Sequence, residues 1–594
     1  MNSRRLILLL TFWLATACAS TPSTTDDPSD EVTSAVEKTK FGRAVDTVTY
    51  TVDVSAADEG RVGVTVALDR PSAKSTVFGV EQSWGGLTNI PAYVDDVRAV
   101  NGSEEELEVS NVEKNRWKVT HPKGASVRFR YELTRDAEGV EPTPTRLMFA
   151  PRIEPERVFL IGPAMLAAPR IPVGDGGTLN VEFRWTGVPN GWRKITSHGT
   201  GMESGGEVRL DDLRHVVLYA GEEVRTLERT VGENSVYLAI SGEWKFSDKR
   251  LADILSEIMA AERDFFGDHS QPYYAVTALP VDLSDTRYAG GSFTGGTGLY
   301  QSFAMFMVPD TPLETKKKLG LKHLLAHELF HNWNSPGLFD IQERKKEPEV
   351  YWFTEGFTEH FARLILRDAD LITDRQFLNN LNEQLDAYRT NPLREISNAE
   401  VAEKFWESTN GRKLAYQRGA VIALMLDRKI RERTDGEESL ADLMRHVYES
   451  EQSETKQPNV FLLEVIRQFA GADYAAKVRR YVLEGEPVEL RGDALGPCYK
   501  LARTREEKPD WGFNVEKTVR KKVVHGVRAD SPASDAGLSD GQKLHSIVKK
   551  STDSGALLEL TIATDVGNKT VTVQPDKKRV TTVAYRRRAE SECD

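Results

Sequence analysis

The sequence predicts a multidomain α+β protein: an N-terminal antiparallel β-sandwich-like domain, a mainly helical central domain and a strand-bearing tail. Three observations predict it. The chain has 594 residues, which at roughly 150 residues per domain is room for about three or four domains. From Asp46 to about Gly232, apolar and polar residues alternate in short runs broken by turn formers, the two-residue period of a strand with one buried face. Near Ser235 the period changes to that of amphipathic helices, and from about Pro509 strand-like runs return.

Composition narrows the classes of function. Lys and Arg total 78 against 90 Asp and Glu, a net charge of −12, with 39% hydrophobic and 28% charged residues. This is ordinary globular composition without the basic footprint of a nucleic-acid binder. Short basic runs such as Lys316 to Lys318 read as solvated helix faces. The length also excludes a peptide hormone or an isolated binding module.

The first element is a targeting segment. Residues 1–17 carry Arg4 and Arg5, an apolar run from Leu6 to Leu14, and Ala15-Thr16-Ala17 directly before Cys18. The run is too short to span a bilayer and reads as a bacterial signal peptide. A Cys after small residues resembles a lipobox, whose sulfur receives diacylglycerol. Ala15 stands where Leu is usual there, and Ala15-x-Ala17 also fits an ordinary signal-peptidase site. From Ala19 to Lys40 the chain is rich in Ser, Thr, Pro and Asp, so 18–44 is predicted to be a lipidated Cys and a solvated tether. The expected location is that of an exported lipoprotein, at the outer membrane or the periplasmic face. Export permits a disulfide, and Cys498 and Cys593 are the expected pair, bracketing the tail.

Within 45–232, Val48, Tyr50 and Val52 alternate with Thr47, Thr49 and Thr51, and Val127, Phe129, Tyr131 and Leu133 with Arg128, Arg130 and Glu132. Asn101-Gly102 and Pro122-Lys123-Gly124 supply turns. This domain shows no catalytic constellation. The central domain spans 233–490. Ser247 caps a helix whose apolar positions Leu251, Ile254, Leu255, Ile258 and Phe265 share a face. A second helix is predicted to open at Thr311-Pro312, with Thr311 and Glu314 as a capping box and Pro312 first in the helix. Further helical patterns run over 354–367, 374–388, 414–431 and 439–448.

The second helix carries the chemistry, His327-Glu328-Leu329-Phe330-His331. Residues four apart share a helical face, so both imidazoles can bind one Zn²⁺ while Glu328 reaches water beside the metal. Two ordinary helical histidines are the alternative, and context decides. A catalytic zinc takes three protein ligands, and Tyr351-Trp352-Phe353-Thr354-Glu355-Gly356-Phe357-Thr358-Glu359 offers Glu355, with Glu359 one turn on as competitor. His323 lies one turn before His327, displaced about 6 Å along the axis, and reads as a supporting or surface residue.

With Asn332-Trp333-Asn334, Trp352-Phe353-x-Glu355-Gly356-Phe357-Thr358 and Tyr416-Gln417-Arg418-Gly419, these motifs resemble gluzincin metallopeptidases. Specifically they resemble the glycyl-aminopeptidase-like family, which joins a β-rich N-terminal domain, a thermolysin-like catalytic domain and a C-terminal PDZ domain. Residues 491–594 fit that order: Arg528 to Leu538, followed by Asp540-Gly541, resembles the helix-bearing segment of a PDZ domain, with Gln542 in place of the usual Asp. The resemblance implies a hydrolase acting on a peptide or protein, an aminopeptidase favouring small N-terminal residues. It gives Tyr416 a phenol facing the oxyanion, with Arg418 where related enzymes have Lys, and a C-terminal peptide as ligand of the PDZ-like domain.

Departures fall at substrate contacts. Ser335-Pro336-Gly337-Leu338 replaces the basic residues usual after Trp-Asn. Related enzymes carry a Gly-x-Met-Glu-Asn strand whose carboxylate fixes the substrate amine, whereas Tyr288 to Gly296 here holds no acid. Gly290, Gly291 and Ser292 are then expected to let an extended peptide approach closely; a flexible loop is the alternative. Endopeptidase action stays open, as does a non-catalytic scaffold that binds peptides through the tail. Asp427 and Arg431 read as a structural i,i+4 pair, and His360 as packing beside the zinc helix.

Overall fold

The computed structural model describes residues 12–14, 47–137, 143–171, 177–283, 293–315, 319–335, 338–339, 341, 344–405, 408–450, 457–552, 555–564 and 567–589. The alternating runs of the N-terminal part form strands. A six-stranded sheet is ordered Glu203–Arg209, Thr178–Thr186, Thr47–Asp53, Arg61–Leu68, Val127–Thr134, Val94–Asn101. Val48, Tyr50 and Val52 and, opposite them, Val62, Val64, Val66 and Leu68 point into the core, as the two-residue period requires. The prediction of a purely antiparallel domain needs correction. Thr178–Thr186 runs parallel to Thr47–Asp53, because the chain between them crosses through other strands rather than a hairpin. Two short helices, Pro144–Phe149 and Gly162–Met165, also interrupt the strands.

The central sheet begins earlier than the predicted edge at 232. Arg225–Val231 pairs antiparallel with Asn234–Ile240, so residue 232 lies inside a hairpin. Tyr273–Pro280 then runs parallel to both Asn234–Ile240 and Ser302–Met307, and Phe293–Leu299 closes the row antiparallel to Ser302–Met307. Of the predicted signal peptide, Phe12–Leu14 are described, as a short strand parallel to Phe293–Leu299. Both faces of this sheet are covered. Phe303, Met305 and Met307 turn towards the helices, while Ala304 and Phe306 turn towards the N-terminal β layers. That explains why Ser302–Met307 is buried at every position, and it fixes the N-terminal domain against the sheet that supports the site.

Ser247 caps the helix Asp248–Phe266 as expected, its side chain accepting from the Arg250 N–H. The helix with the two histidines differs: it spans Leu321–Phe330 and does not open at Thr311-Pro312. Glu314 pairs with Lys322 at 2.6 Å and Arg250 at 3.1 Å, drawing its carboxylate away from the capping role. Gly320 stands at φ 63°, ψ −143°, a conformation outside the helix. Tyr351–Asp368, Asp374–Thr390, Thr409–Arg433 and Leu440–Glu449 follow, together with Asn398–Phe405 and Pro458–Ala470, which the periodicity left unassigned.

In the tail, Tyr499–Asp510 pairs antiparallel with Asp576–Arg587. Tyr585 from that ribbon joins the helical core, where Asn382 accepts its N–H and donates to its carbonyl. A separate small core, including Val524, Leu538, Leu544, Leu560 and Val573, lies with the sheet of Leu544–Thr552, Gly555–Thr564 and Gly567–Val573. Cys498 is disulfide-bonded; Cys593 lies outside the described residues, as do Cys18 and the tether. Among the described residues no helix is long and apolar enough to cross a membrane.

Candidate active site

Three helices make the site: the histidine helix Leu321–Phe330, the glutamate helix Tyr351–Asp368 and the tyrosine helix Thr409–Arg433. The last two touch through paired glycines. A Cβ on Gly419 would lie 1.8 Å from the Trp352 carbonyl, and one on Gly356 would lie 2.3 Å from the Gly419 Cα. Only hydrogen at both positions permits this approach, and it brings Tyr416, three residues before Gly419, to the side of Glu355. Asn334 ties the histidine segment to the same helix, donating to the Thr354 carbonyl at 3.2 Å and to Thr358 Oγ1 at 3.0 Å. Trp333 donates to Asp268, which also accepts from Tyr448.

His327, His331 and Glu355 converge. His327 Nε2 lies 3.1 Å from Glu355 Oε2, His331 Nε2 lies 3.4 Å from the same oxygen, and the two imidazole nitrogens are 3.2 Å apart. Ligands about 2.0–2.1 Å from a tetrahedral zinc are separated by about 3.3 Å, so the spacing fits that ion. The outward nitrogens agree. His331 Nδ1 faces the Asn334 carbonyl at 2.7 Å and His327 Nδ1 faces Glu359 Oε1 at 3.3 Å, which orients both Nε2 lone pairs inwards. Glu355 Oε1 is buried without a hydrogen-bond partner, an acceptor that a cation held by these three residues would satisfy. Burial alone would raise the Glu355 carboxyl, but His331 and His327 hold it down at about 2. Conversely, burial would depress His327, yet Glu355 and Glu359 raise it to about 10. Both shifts arise from the close opposition of the Glu355 carboxylate and the two imidazoles.

Glu328 is 4% exposed. Burial pushes its carboxyl up to about 7, against the pull of His327 and His331, a value suited to taking and returning a proton near neutrality. The Tyr416 ring stacks on His327 with centroids 5.9 Å apart. Burial, then the carboxylates of Glu355 and Glu328, raise its phenol well above the ordinary value, so it keeps its proton and can donate. Its hydroxyl is buried beside Glu355 without a hydrogen bond of ordinary length.

Glu359, the competitor for the third ligand position, meets the other nitrogen of His327 instead. Its second oxygen accepts from Arg363 Nη2 at 2.7 Å and lies 3.6 Å from His323 Nε2. Burial opposes ionisation of Glu359, but these neighbours hold its carboxyl below the usual range. His323 is therefore neither surface nor ligand; burial lowers it to about 4. His360 is buried and likewise lowered to about 4. Asp427 pairs with Arg431 at 2.8 Å and also accepts the Leu440 N–H, a structural role. Glu262, on Asp248–Phe266, is fully buried with neither oxygen hydrogen-bonded, and burial raises its carboxyl well above the ordinary range.

Gly290, Gly291 and Ser292 lie outside the described residues. The neighbouring Gly296 serves packing, since a Cβ there would meet the Phe303 ring at 2.3 Å. Sequence reasoning did not assign Asn334 and Glu359 their positioning roles; the i,i+4 spacing of Glu355 and Glu359 was the available signal for the latter.

Residues 321–422 match the M61 glycyl aminopeptidase family, and residues 49–194 match the peptidase M61 N-terminal domain. No curated protein matches the chain in sequence. Among solved structures, the chain resembles the aminopeptidase N family protein from Idiomarina loihiensis at 16% identity and TM-score 0.67, over 92% of this chain and 99% of that one. The M1 zinc metallopeptidase from Deinococcus radiodurans matches at 15% identity and TM-score 0.45, over 75% of this chain and 97% of that one. A variant of that enzyme bound to a Tyr-Ser-Ala substrate matches at 15% identity and TM-score 0.46, over 75% and 96%. The chain thus carries M61 peptidase domains, and with two histidines and a glutamate spaced for the ion it is a zinc metallopeptidase.

Proposed function

We propose that the chain is an exported aminopeptidase that removes small N-terminal residues from peptides, with His327, His331 and Glu355 holding Zn²⁺. The observation that carries this reading is the convergence of His327 Nε2, His331 Nε2 and Glu355 Oε2, with Glu328 next to His327 and the Tyr416 ring stacked on it. The M61 glycyl aminopeptidase match over 321–422 supports the choice of an aminopeptidase. Zinc, when bound, supplies a Lewis acid that polarises a carbonyl and acidifies water. Glu328 takes the proton of the attacking water and returns it to the leaving amine. Tyr416 donates its hydroxyl to the carbonyl oxygen as negative charge develops there. Glu359 keeps the His327 ring in the tautomer that turns Nε2 inwards, and the Asn334 carbonyl does the same for His331.

The same reading makes Cys18 the lipid-bearing residue and 19–44 the tether that holds the enzyme off the membrane of a bacterial envelope. It makes residues 491–594 a PDZ-like domain with a disulfide between Cys498 and Cys593. Support for the tail comes from Ser531 capping the short helix Pro532–Asp535 and from Leu538 packed beneath the three-stranded sheet.

The test is a mixed peptide library incubated with the purified body starting after Cys18, with and without chelator, and read by mass spectrometry. Chelator-sensitive loss of single N-terminal residues is expected. Internal cuts would replace the aminopeptidase with an endopeptidase, and intact peptides despite bound zinc would overturn hydrolysis.

A further inference from the structure

Arg412 stands on the tyrosine helix, one turn before Tyr416 and on the same face. Three observations set it apart. Its side chain is only partly exposed, and its Nε is buried without a hydrogen-bond partner. Arg263, Arg363 and Arg418 each leave one buried nitrogen unpartnered too, but their other nitrogens are answered: Arg263 donates to the Gln271 carbonyl, Arg363 to Glu359 and Asn380, and Arg418 to Asn398 and the Arg394 carbonyl. Arg412 has no ion-pair or hydrogen-bond partner of this kind among the described residues. Second, it occupies the first turn of a 25-residue helix that carries no acidic residue there, the end where the helix dipole already disfavours a cation. Third, its i,i+4 spacing to Tyr416 on one helix sets it beside the group proposed to face the reacting carbonyl. A partly buried cation against the helix dipole, with no counter-ion among the described residues, is open to an anionic ligand.

We propose that Arg412 receives a carboxylate of the substrate on the leaving-group side of the scissile bond. This rests on the peptidase reading above. Four residues of helix rise about 6 Å, and one residue of extended chain is about 3.8 Å between Cα atoms. A peptide whose scissile carbonyl lies against Tyr416 and whose leaving-group residues run towards the start of the tyrosine helix brings its next residue within reach of the Arg412 guanidinium. The carboxylate is the free C-terminus of a dipeptide or an acidic side chain on that next residue. The planar fork of Arg412 suits a two-oxygen acceptor.

The test is calorimetric binding of four peptides to the zinc-loaded full chain carrying Glu328→Gln: Ala-Ala, Ala-Ala-amide, Ala-Asp-amide and Ala-Asn-amide. At least one carboxylate peptide is expected to bind about tenfold more tightly than its neutral partner. The first pair reads the C-terminus and the second reads the side chain. In the same background Arg412→Gln is expected to bring the ratio to near one, and Arg412→Lys to restore part of it. Equal binding within both pairs, no binding of any peptide, or a ratio that survives Arg412→Gln would overturn the proposal. Turnover of Ala-Ala-amide by the unmodified enzyme reads the peptidase reading separately. Turnover without carboxylate preference removes Arg412 alone; carboxylate preference without turnover removes the peptidase and leaves Arg412 as an anion receptor.

Discussion

The two sides of the site balance their charges differently. On the side of the histidine and glutamate helices, Glu355 faces both ligand histidines, and Glu359 faces His327, His323 and Arg363. Each buried ion there has a counter-group, and Glu262 beneath them escapes the rule only by staying neutral. On the tyrosine helix, the Tyr416 hydroxyl and Arg412 Nε have no partner. The first side sets its charges against one another within the protein and so can hold a metal in fixed geometry. The second is incomplete and is finished by the groups that pass through it. Balanced charge positions; unbalanced charge binds.

The largest effect that sharpens this contrast is expected from the incomplete side. Tyr416→Phe should lower kcat about 10²–10³-fold while zinc content, read by atomic absorption, stays at the parent level. A proportional loss of zinc would move Tyr416 to the balanced side. Next comes the glycine contact that joins the two sides. Gly419→Ala drives a methyl into the Trp352 carbonyl, and a cost of about 2–3 kcal/mol should lower the thermal midpoint. An unchanged midpoint would mean that the helices can separate without penalty.

On the complete side, Glu359→Gln should weaken zinc binding about 10–100-fold, measured by competition with a chromophoric chelator. Parent affinity would show that His327 needs no such orientation. The smallest effect concerns Glu262. Its folded-state carboxyl is raised, whereas an unfolded one ionises above about 4.3. The stability it contributes is therefore full below that pH and is lost as pH rises towards the folded value. Glu262→Gln removes the loss, so its thermal midpoint should exceed the parent's by about 2–4 °C at pH 8 and match it near pH 4. A gap independent of pH would contradict a neutral buried Glu262.

What could be read from the chain alone follows the range of the interactions. His327, His331 and Glu355 were legible because their chemistry is a matter of helical spacing and residue type. The helix Asp248–Phe266 was legible because its cap and apolar stripe are local. The start of the histidine helix was not, since Glu314 answers Lys322 and, from far along the chain, Arg250. Parallel pairing of Thr178–Thr186 with Thr47–Asp53 was equally hidden, because alternation states which face is buried and not which way the neighbour runs. Glu359 was visible as a candidate, but only the packing of two helices decides that it meets Nδ1 of His327 rather than the metal. Arg412 looked like any helical arginine. Its position in a first turn without an acid was the signal available.

Glu328 is the direct test. The Glu328→Gln variant is purified, its zinc counted and its hydrolysis of a small N-terminal peptide followed beside the parent. One zinc per chain with hydrolysis lowered by about 10²–10⁴-fold is the expected result, since the glutamine lies outside the donor set yet cannot carry the proton. Parent-level hydrolysis by the zinc-loaded variant would contradict the assignment of Glu328 as the base and, with it, the proposed chemistry of the site.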